Sequence, residues 1–435
     1  MKIDFLGASQ TVTGSCYQVT IQDINVLIDC GMFQGSDVEH LNNEGFRFNP
    51  SDIELLILSH AHLDHCGLIP KLVKEGFKGK ILCTPYTYNI AKLILLDSAK
   101  IQSKQTRLQQ LYTTDDVVSA LDLFMTIDLN REFIHKCVKI ILRNASHVLG
   151  AASVELYGPS GSITFSGDLG RQNDLLIDPY NNNYSTTDSY VMEALYGNRT
   201  HPDISESNDT LTTIINNTFL RDGIVMIPVF ALHRSILIID IIQKLIDQKL
   251  LDTNTKIILD SPLAVKINEQ YGQYNSRLKL DNYRNLLYKN SDLKKHNKGS
   301  KRIILAGGGM VNGGRILSYL KTYISNKRNS IIFVGYQAPD TLGHTILNGA
   351  RTINIDYKSY EVASEIIKLE GYSAHADQKE LIWWINRFDK EIIKNIYLVH
   401  SEFASSSVLK NLLQNSFPTS KIIIPEMYHS DEIIS

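Results

Sequence analysis

Apolar residues in the first half of the chain fall in short runs separated by turn-forming residues. The runs at residues 26–28, 55–58, 138–142 and 163–165 are rich in β-branched side chains and predict buried strands. Between residues 87 and 111 the apolar positions recur at three- and four-residue spacing, which predicts a helix. The pattern changes from about residue 197. Strands are predicted at 223–229, 256–259, 302–305 and 330–334, with a helix over 234–249. Strands alternating with helices imply a parallel sheet covered on both faces. The chain closes on a strand at 395–399, a helix, and a strand at 421–424. The polar stretches 181–183 and 290–301 predict loops.

The 435 residues are 43% apolar, enough to bury a large core in two or three domains. The formal net charge is −2, so any nucleic-acid contact must use a local basic patch rather than bulk charge. Five cysteines (Cys16, Cys30, Cys66, Cys83 and Cys137) are odd in number and lack C-x-x-C spacing, which predicts buried free thiols rather than a disulfide framework or a thiolate metal site. The amino terminus enters strand alternation at once, with no basic segment followed by an apolar run, so no signal peptide is expected. The greasiest stretch, 235–246, is interrupted by Asp240 and Lys244 and is too short to span a bilayer. These features predict a soluble cytoplasmic protein with no membrane partner.

The strongest chemical signal is Ser-His-Ala-His-Leu-Asp-His at residues 59–65, directly after a predicted strand. In extended chain His60 and His62 point to one side, and Asp64 and His65 fall in the turn that opens the next helix. His147, Asp168 and His400 each follow a predicted strand, as does Asp29. Strand ends of this kind are where α/β structures build their sites. The set divides into two metal sites: His60, His62 and His147 for one, and Asp64, His65 and His400 for the other, with Asp168 bridging. Imidazole and carboxylate together suit two Zn2+ ions, with Mn2+ as a possible substitute. Asp29 is read as a group that orients the ligands. Two metals about 3.5–4 Å apart can hold the attacking and leaving oxygens of an in-line displacement.

These residues resemble the metallo-β-lactamase superfamily, whose hallmark is H-x-H-x-D-H with a distal His and Asp. Glu193 in Glu-Ala-Leu-Tyr-Gly, His375 in Ser-Ala-His-Ala-Asp and His400 in Leu-Val-His-Ser-Glu are similar to the three further motifs of its β-CASP nucleases. Segments 228–234, 260–264, 307–315 and 335–337 also resemble that family, in order. The resemblance implies an α/β fold: an αββα metallo-β-lactamase sandwich over 1–196 and 360–435, with an inserted α/β β-CASP domain over 197–359. It implies a short form without KH domains, similar to ribonuclease J and the cleavage subunit of the pre-messenger RNA 3′-end machinery. It further implies a ribonuclease, endonuclease or 5′-exonuclease, with a hydroxide held by the metals as nucleophile. A histidine at position 400 is similar to RNA-acting members, where DNA-repair members carry valine. Three departures stand out: His233 where the family has glycine, Ala194-Leu195 for Ser-Thr, and Ser401 for glycine. His233 and Ser401 are expected to narrow the cleft or alter substrate preference.

The catalytic set expected is His375, Glu193, Asp29 and Asp64, with His375 as leaving-group acid held by Glu193. Between Arg284 and Arg328 there are eleven Lys or Arg against one acid, Asp292, an excess that could bind a phosphate backbone. The substrate-binding candidates are Arg234, Arg315, Tyr336 and Ser373. The first two each open a predicted helix after a strand, where helix N–H groups also favour phosphate. Single-stranded RNA is the expected partner, and a homodimer is left open. Two other readings compete: a hydrolase of a small thioester or lactone, which would not need Glu193 or His375, and an inactive RNA-binding subunit.

Overall fold

The computed structural model describes residues 1–35, 37–104, 110–180, 184–288 and 301–433. The loops predicted over 181–183 and 290–300, and the basic residues within the latter, lie outside the described residues. The chain separates into two compact units, Met1–Thr200 with Ala374–Ser435, and His201–Ser373.

The first unit holds two seven-stranded mixed sheets. In one, Lys2–Phe5, Tyr17–Ile21 and Ile24–Ile28 run antiparallel, and Leu55–Ile57, Lys80–Cys83 and Phe124–Thr126 then continue in parallel. In the other, the strands from Glu132–His135 to Gly161–Phe165 form an antiparallel meander. Ser189–Glu193, Asn395–Val399 and Lys421–Ile423 extend it in parallel. The inner faces meet in one core, where Ile3, Val26, Ile28 and Leu55 of one sheet join Leu142, Val154, Leu156, Phe165 and Val399 of the other. Tyr17–Ile21 alternates buried and half-buried positions, as a strand with one core face must, whereas Ser189–Glu193 is buried throughout. Helices lie outside the sheets, so the unit is an αββα sandwich.

The second unit is a six-stranded, fully parallel sheet in the order Leu286–Leu287, Lys256–Asp260, Arg302–Gly307, Val225–Val229, Ser330–Phe333, Glu365–Lys368. Val225–Val229 pairs with Arg302–Gly307 along its full length but with Ser330–Phe333 only at Val225 and Met226. Pro228, which has no N–H to give, sits beyond the end of that shorter ladder.

Several sequence expectations shift. The helix expected over 87–111 is Pro85–Gln102. Thr84 caps its start by accepting from the Thr87 N–H, and Pro85 occupies the first turn, where no N–H is required. Gln102 Oε1 accepts from Leu111 N–H at 3.0 Å, which holds the returning chain outside the helix. The second crossing between units falls after Ser373 rather than at 360, because Glu365–Lys368 pairs with Ser330–Phe333 and completes the parallel sheet. Four cysteines are buried, but Cys137 is exposed, in the turn between Glu132–His135 and Val138–Asn144. Among the described residues no helix is long and apolar enough to cross a membrane.

The sandwich core carries a direct prediction. Leu156 is fully buried between the two sheets, so Leu156→Ala should cost about 2–5 kcal/mol of stability, read from the midpoint of urea unfolding. A loss under about 1 kcal/mol would mean that this face does not pack as described.

Candidate metal centre

The chemistry-bearing residues of the first unit gather where strands end. His60 and His62 follow Leu55–Ile57, and Asp64 and His65 lie in the one-turn helix Leu63–Cys66. His147 comes after Val138–Asn144, Asp168 after Gly161–Phe165, and His400 after Asn395–Val399. Glu193 ends Ser189–Glu193, and His375 precedes the helix Gln378–Ile385. The backbone turns sharply at these points: Asp29, Ser146 and His400 have φ of 57°, 58° and 53°. Left-handed backbone costs a side-chain-bearing residue roughly 1–2 kcal/mol. Specific bonds hold it there: Asp29 N–H to Ile57 O at 3.0 Å, Ser146 N–H to Asn144 Oδ1 at 3.0 Å, and His400 N–H to Ala8 O at 2.7 Å.

Two clusters result, and Asp168 contributes one oxygen to each. In the first, His62 Nδ1 lies 3.0 Å from His60 Nε2 and 3.2 Å from His147 Nε2. Asp168 Oδ2 is 3.4 Å from His60 Nε2 and 3.6 Å from His147 Nε2. In the second, Asp168 Oδ1 is 3.3 Å from His65 Nε2 and 3.6 Å from His400 Nε2, and Asp64 Oδ2 is 3.4 Å from His400 Nε2. A tetrahedron around zinc with bonds of about 2.0–2.1 Å has edges of about 3.3–3.4 Å, so these spacings fit the donor shells of metal ions. Asp168 Oδ1 is buried and meets no donor with hydrogen-bond geometry. A buried carboxylate oxygen ringed by imidazole nitrogens, but not bonded by them, suits a cation in the gap.

The field differs between the clusters. Burial pushes His60 and His147 well below the usual imidazole range, and His62 down to about 4, so all three keep their lone pairs at neutral pH. Burial acts the same way on His65 and His400. There, however, Asp168 and Asp29 (for His65) and Asp168 and Asp64 (for His400) outweigh it and raise both. Burial alone would raise Asp168, but His400, His65 and His60 hold it well below the carboxylate range.

A further layer of contacts orients the rings. Asp29 accepts from Ser59 N–H, Ser59 Oγ and His65 Nδ1, each at 2.7 Å. Ser59 Oγ also lies 3.1 Å from His60 Nδ1, and His147 Nδ1 reaches Ala374 O at 3.2 Å. Sequence reasoning missed both Ser59 and Ala374. Ser59 gives only its place before the first histidine as a signal, and Ala374 acts through a backbone carbonyl that no side-chain pattern reveals. Beside the clusters, His375 Nδ1 sits 3.2 Å from Glu193 Oε2 and 3.9 Å from Asp168 Oδ2. Glu193 is itself fixed by Leu169 N–H, 2.5 Å from Oε1.

The remaining candidates lie in the second unit. Arg234, buried, opens the helix Arg234–Asp247 after Val225–Val229. Arg315 leads into Ile316–Tyr323 after Arg302–Gly307, and half-buried Tyr336 follows Ser330–Phe333. All three therefore lie beyond the C-terminal edge of the parallel sheet. Half-buried Ser373 ends this unit, after the parallel edge strand Glu365–Lys368. Arg315 is already paired with Asp260 at 2.6 Å. Two of the three departures from the family pattern, His233 and Ser401, have internal partners. His233 takes φ of 62°, the region that glycine adopts without cost, and its Nδ1 lies 3.0 Å from Tyr271 Oη. Ser401 is buried and bonded to the Ser406 hydroxyl, so it turns inward and is not a surface that meets substrate.

The clusters depend on a close backbone approach at Gly170. A β-carbon there would lie 1.6 Å from Ser146 O, in the turn that carries His147. Gly170→Ala should therefore displace His147 from Asp168 and lower metal content, measured by atomic emission, while far-UV circular dichroism keeps the sandwich signature. Full metal content in the variant would refute this dependence.

Known proteins share the arrangement over its length. The metallo-beta-lactamase superfamily matches residues 10–207, the Beta-Casp domain 236–346, and the Zn-dependent metallo-hydrolase RNA specificity domain 359–425. Ribonuclease TTHA0252 of Thermus thermophilus is 30% identical over 95% of this chain and 96% of its own. Transcription termination factor FttA of Methanocaldococcus jannaschii is 31% identical over 92% of this chain and 67% of its own. A crystal structure of a protein of unknown function from Enterococcus faecalis V583 has the same fold, with a TM-score of 0.60 at 13% identity over 99% of both chains. With family models matched across most of its length and a relative 30% identical over 95% of the chain, the chain belongs to the β-CASP family of the metallo-β-lactamase superfamily.

Proposed function

We propose that this protein is a ribonuclease that hydrolyses phosphodiester bonds in single-stranded RNA with two zinc ions. The observation that carries the reading is the pair of clusters, His60–His62–His147–Asp168 and Asp64–His65–His400, with Asp168 Oδ1 3.3 Å from His65 and 3.6 Å from His400 and the His375–Glu193 pair beside them. His60, His62, His147 and Asp168 Oδ2 would hold one ion, and Asp64, His65, His400 and Asp168 Oδ1 the other. Bound there, zinc would supply an activated water at neutral pH and would neutralise charge on the phosphate. The names of the relatives support RNA as substrate, since one is called a ribonuclease and a matched domain is described as an RNA specificity domain.

The chain's own residues supply the rest. Asp29 and Ser59 fix the rings of His65 and His60, so that the nitrogens facing Asp168 carry lone pairs rather than protons. His375 is the leaving-group acid. Glu193 accepts from Nδ1, which sets the ring so that Nε2 gives its proton to the departing ribose oxygen. Leu169 N–H fixes Glu193 in turn, so the acid is placed by the same loop that carries Asp168. Arg234 and Arg315 would hold phosphates of the RNA, Tyr336 would stack on a base, and Ser373 would donate to the strand.

Metal content and activity can be separated here. Asp168→Ala should lose both metal and cleavage, because one carboxylate serves both clusters. His375→Ala should keep about two zinc per chain yet lose on the order of 10²–10⁴ in cleavage rate. A His375→Ala protein that cuts RNA at the parent rate, or an active protein free of transition metal, would overturn the assignment.

Arg315 gives a sharper test of substrate binding, because Asp260 already occupies it. A phosphate must displace that carboxylate, so Asp260→Asn should tighten RNA binding for all sequences alike, and Arg315→Ala should weaken it and flatten the log–log salt slope by about 0.7. Unchanged binding in both variants would make the pair purely structural.

A further inference from the structure

We propose that Arg199 is a phosphate-positioning residue, gripping the RNA strand next to the scissile bond on the His375 side; this rests on the ribonuclease reading above. Arg199 is exposed, and its guanidinium carbon lies 4.8 Å over the ring of Tyr196. Tyr196 is nearly buried, and its ring centroid is 6.2 Å from that of His375. Two ring contacts thus lead from the acid to an exposed cation in the same unit. Arg143 and Arg171 of this unit are engaged by carboxylates, Glu155 at 3.1 Å and Glu380 at 3.8 Å, and Arg387 stacks on several aromatic rings. Among the described residues Arg199 forms no ion pair.

The segment that carries Arg199 is fixed at several points. Ala194 N–H bonds Val399 O at 2.9 Å, and Ser405 Oγ bonds Ala194 O at 2.7 Å. Gln378 then clamps the turn twice, through its N–H to Arg199 O at 3.1 Å and through Nε2 to Gly197 O at 2.7 Å. A guanidinium stacked on a held aromatic ring loses little freedom when its N–H edge meets an anion. That planar edge matches two oxygens of one phosphodiester. Since the tyrosine ring, and not Arg199 itself, is the group that meets His375, the phosphate Arg199 would hold is a neighbour of the one being cut. Its role is to place the leaving strand so that the departing oxygen faces the acid.

The test uses a 5′-labelled single-stranded RNA with a mapped cut site and a set of matched RNAs, each carrying one neutral methylphosphonate linkage beside that site. Wild type, Arg199→Ala and Arg199→Lys are compared over a range of salt. Arg199→Ala should raise KM on the order of tenfold and reduce the log–log salt slope by about 0.7, with the slope restored in Arg199→Lys. One methylphosphonate position should weaken wild type as much as the substitution does and weaken Arg199→Ala no further. If Arg199→Ala matches wild type, or loses the same factor whichever linkage is neutral, the inference is overturned and the ribonuclease reading stands. Failure of metal-loaded wild type to cut any of the RNAs would instead remove that reading and the inference with it.

Discussion

The structure of the first unit turns on one buried carboxylate. Asp168 faces the ring nitrogens of His60, His65, His147 and His400 at 3.3–3.6 Å, all out of contact with water. Taking a carboxylate out of water costs several kcal/mol unless positive charge or hydrogen bonds replace its hydration. That negative charge acts back on its neighbours: Asp168 raises His65 and His400 although burial works against it. A divalent cation between the same atoms would meet this field directly.

This demand explains where the backbone is strained. Side chains from three separate segments, residues 60–65, His147 and His400, can reach one carboxylate only if each strand ends at the same edge and turns inward at once. Asp29, Ser146 and His400 take left-handed backbone at those turns, a conformation unfavourable for residues that bear a side chain. The parallel ladders make this possible. Leu55–Ile57 runs parallel to Ile24–Ile28, and Ser189–Glu193 lies between Gly161–Phe165 and Asn395–Val399 in parallel register, so their C-terminal ends are adjacent by construction.

This explains what could be read from the sequence. The seven residues that the fold gathers into clusters stand out in the sequence because they are charged or imidazole side chains within a few residues after an apolar run, and that is how a strand end looks in sequence. Strand positions in the parallel sheet were legible for a similar reason: fully buried strands are continuous apolar runs. Contributions made by backbone atoms were not legible, such as Ala374 O on His147 or Leu169 N–H on Glu193. The compact second unit extends in the fold beyond residue 360, to Ser373. Glu365–Lys368 is a short edge strand with charged residues at both ends, and only its pairing with Ser330–Phe333 reveals its sheet. The apolar spacing of the helix after Thr84 carries on in sequence through Leu108 and Leu111, so spacing alone predicts a longer helix. The helix ends at Gln102, whose side chain accepts from Leu111 N–H nine residues on.

The His375–Glu193 pair and the clusters are tied together through one loop, residues 168 and 169, and this has a consequence for how the proposed site works as a unit. Residues 168 and 169 supply, in succession, the carboxylate shared by both clusters and the N–H that fixes Glu193. His375 then touches both, through Glu193 at 3.2 Å and Asp168 at 3.9 Å, while its neighbour Ala374 orients His147. A shift in either segment therefore moves a ligand and the acid together. Groups coupled in this way keep their mutual geometry when the surrounding chain flexes, which proton donation to an atom held at the clusters requires. The arrangement also makes substitutions here non-additive. Loss of Asp168 removes the reason for placing His375, so a second change at His375 should have little left to remove.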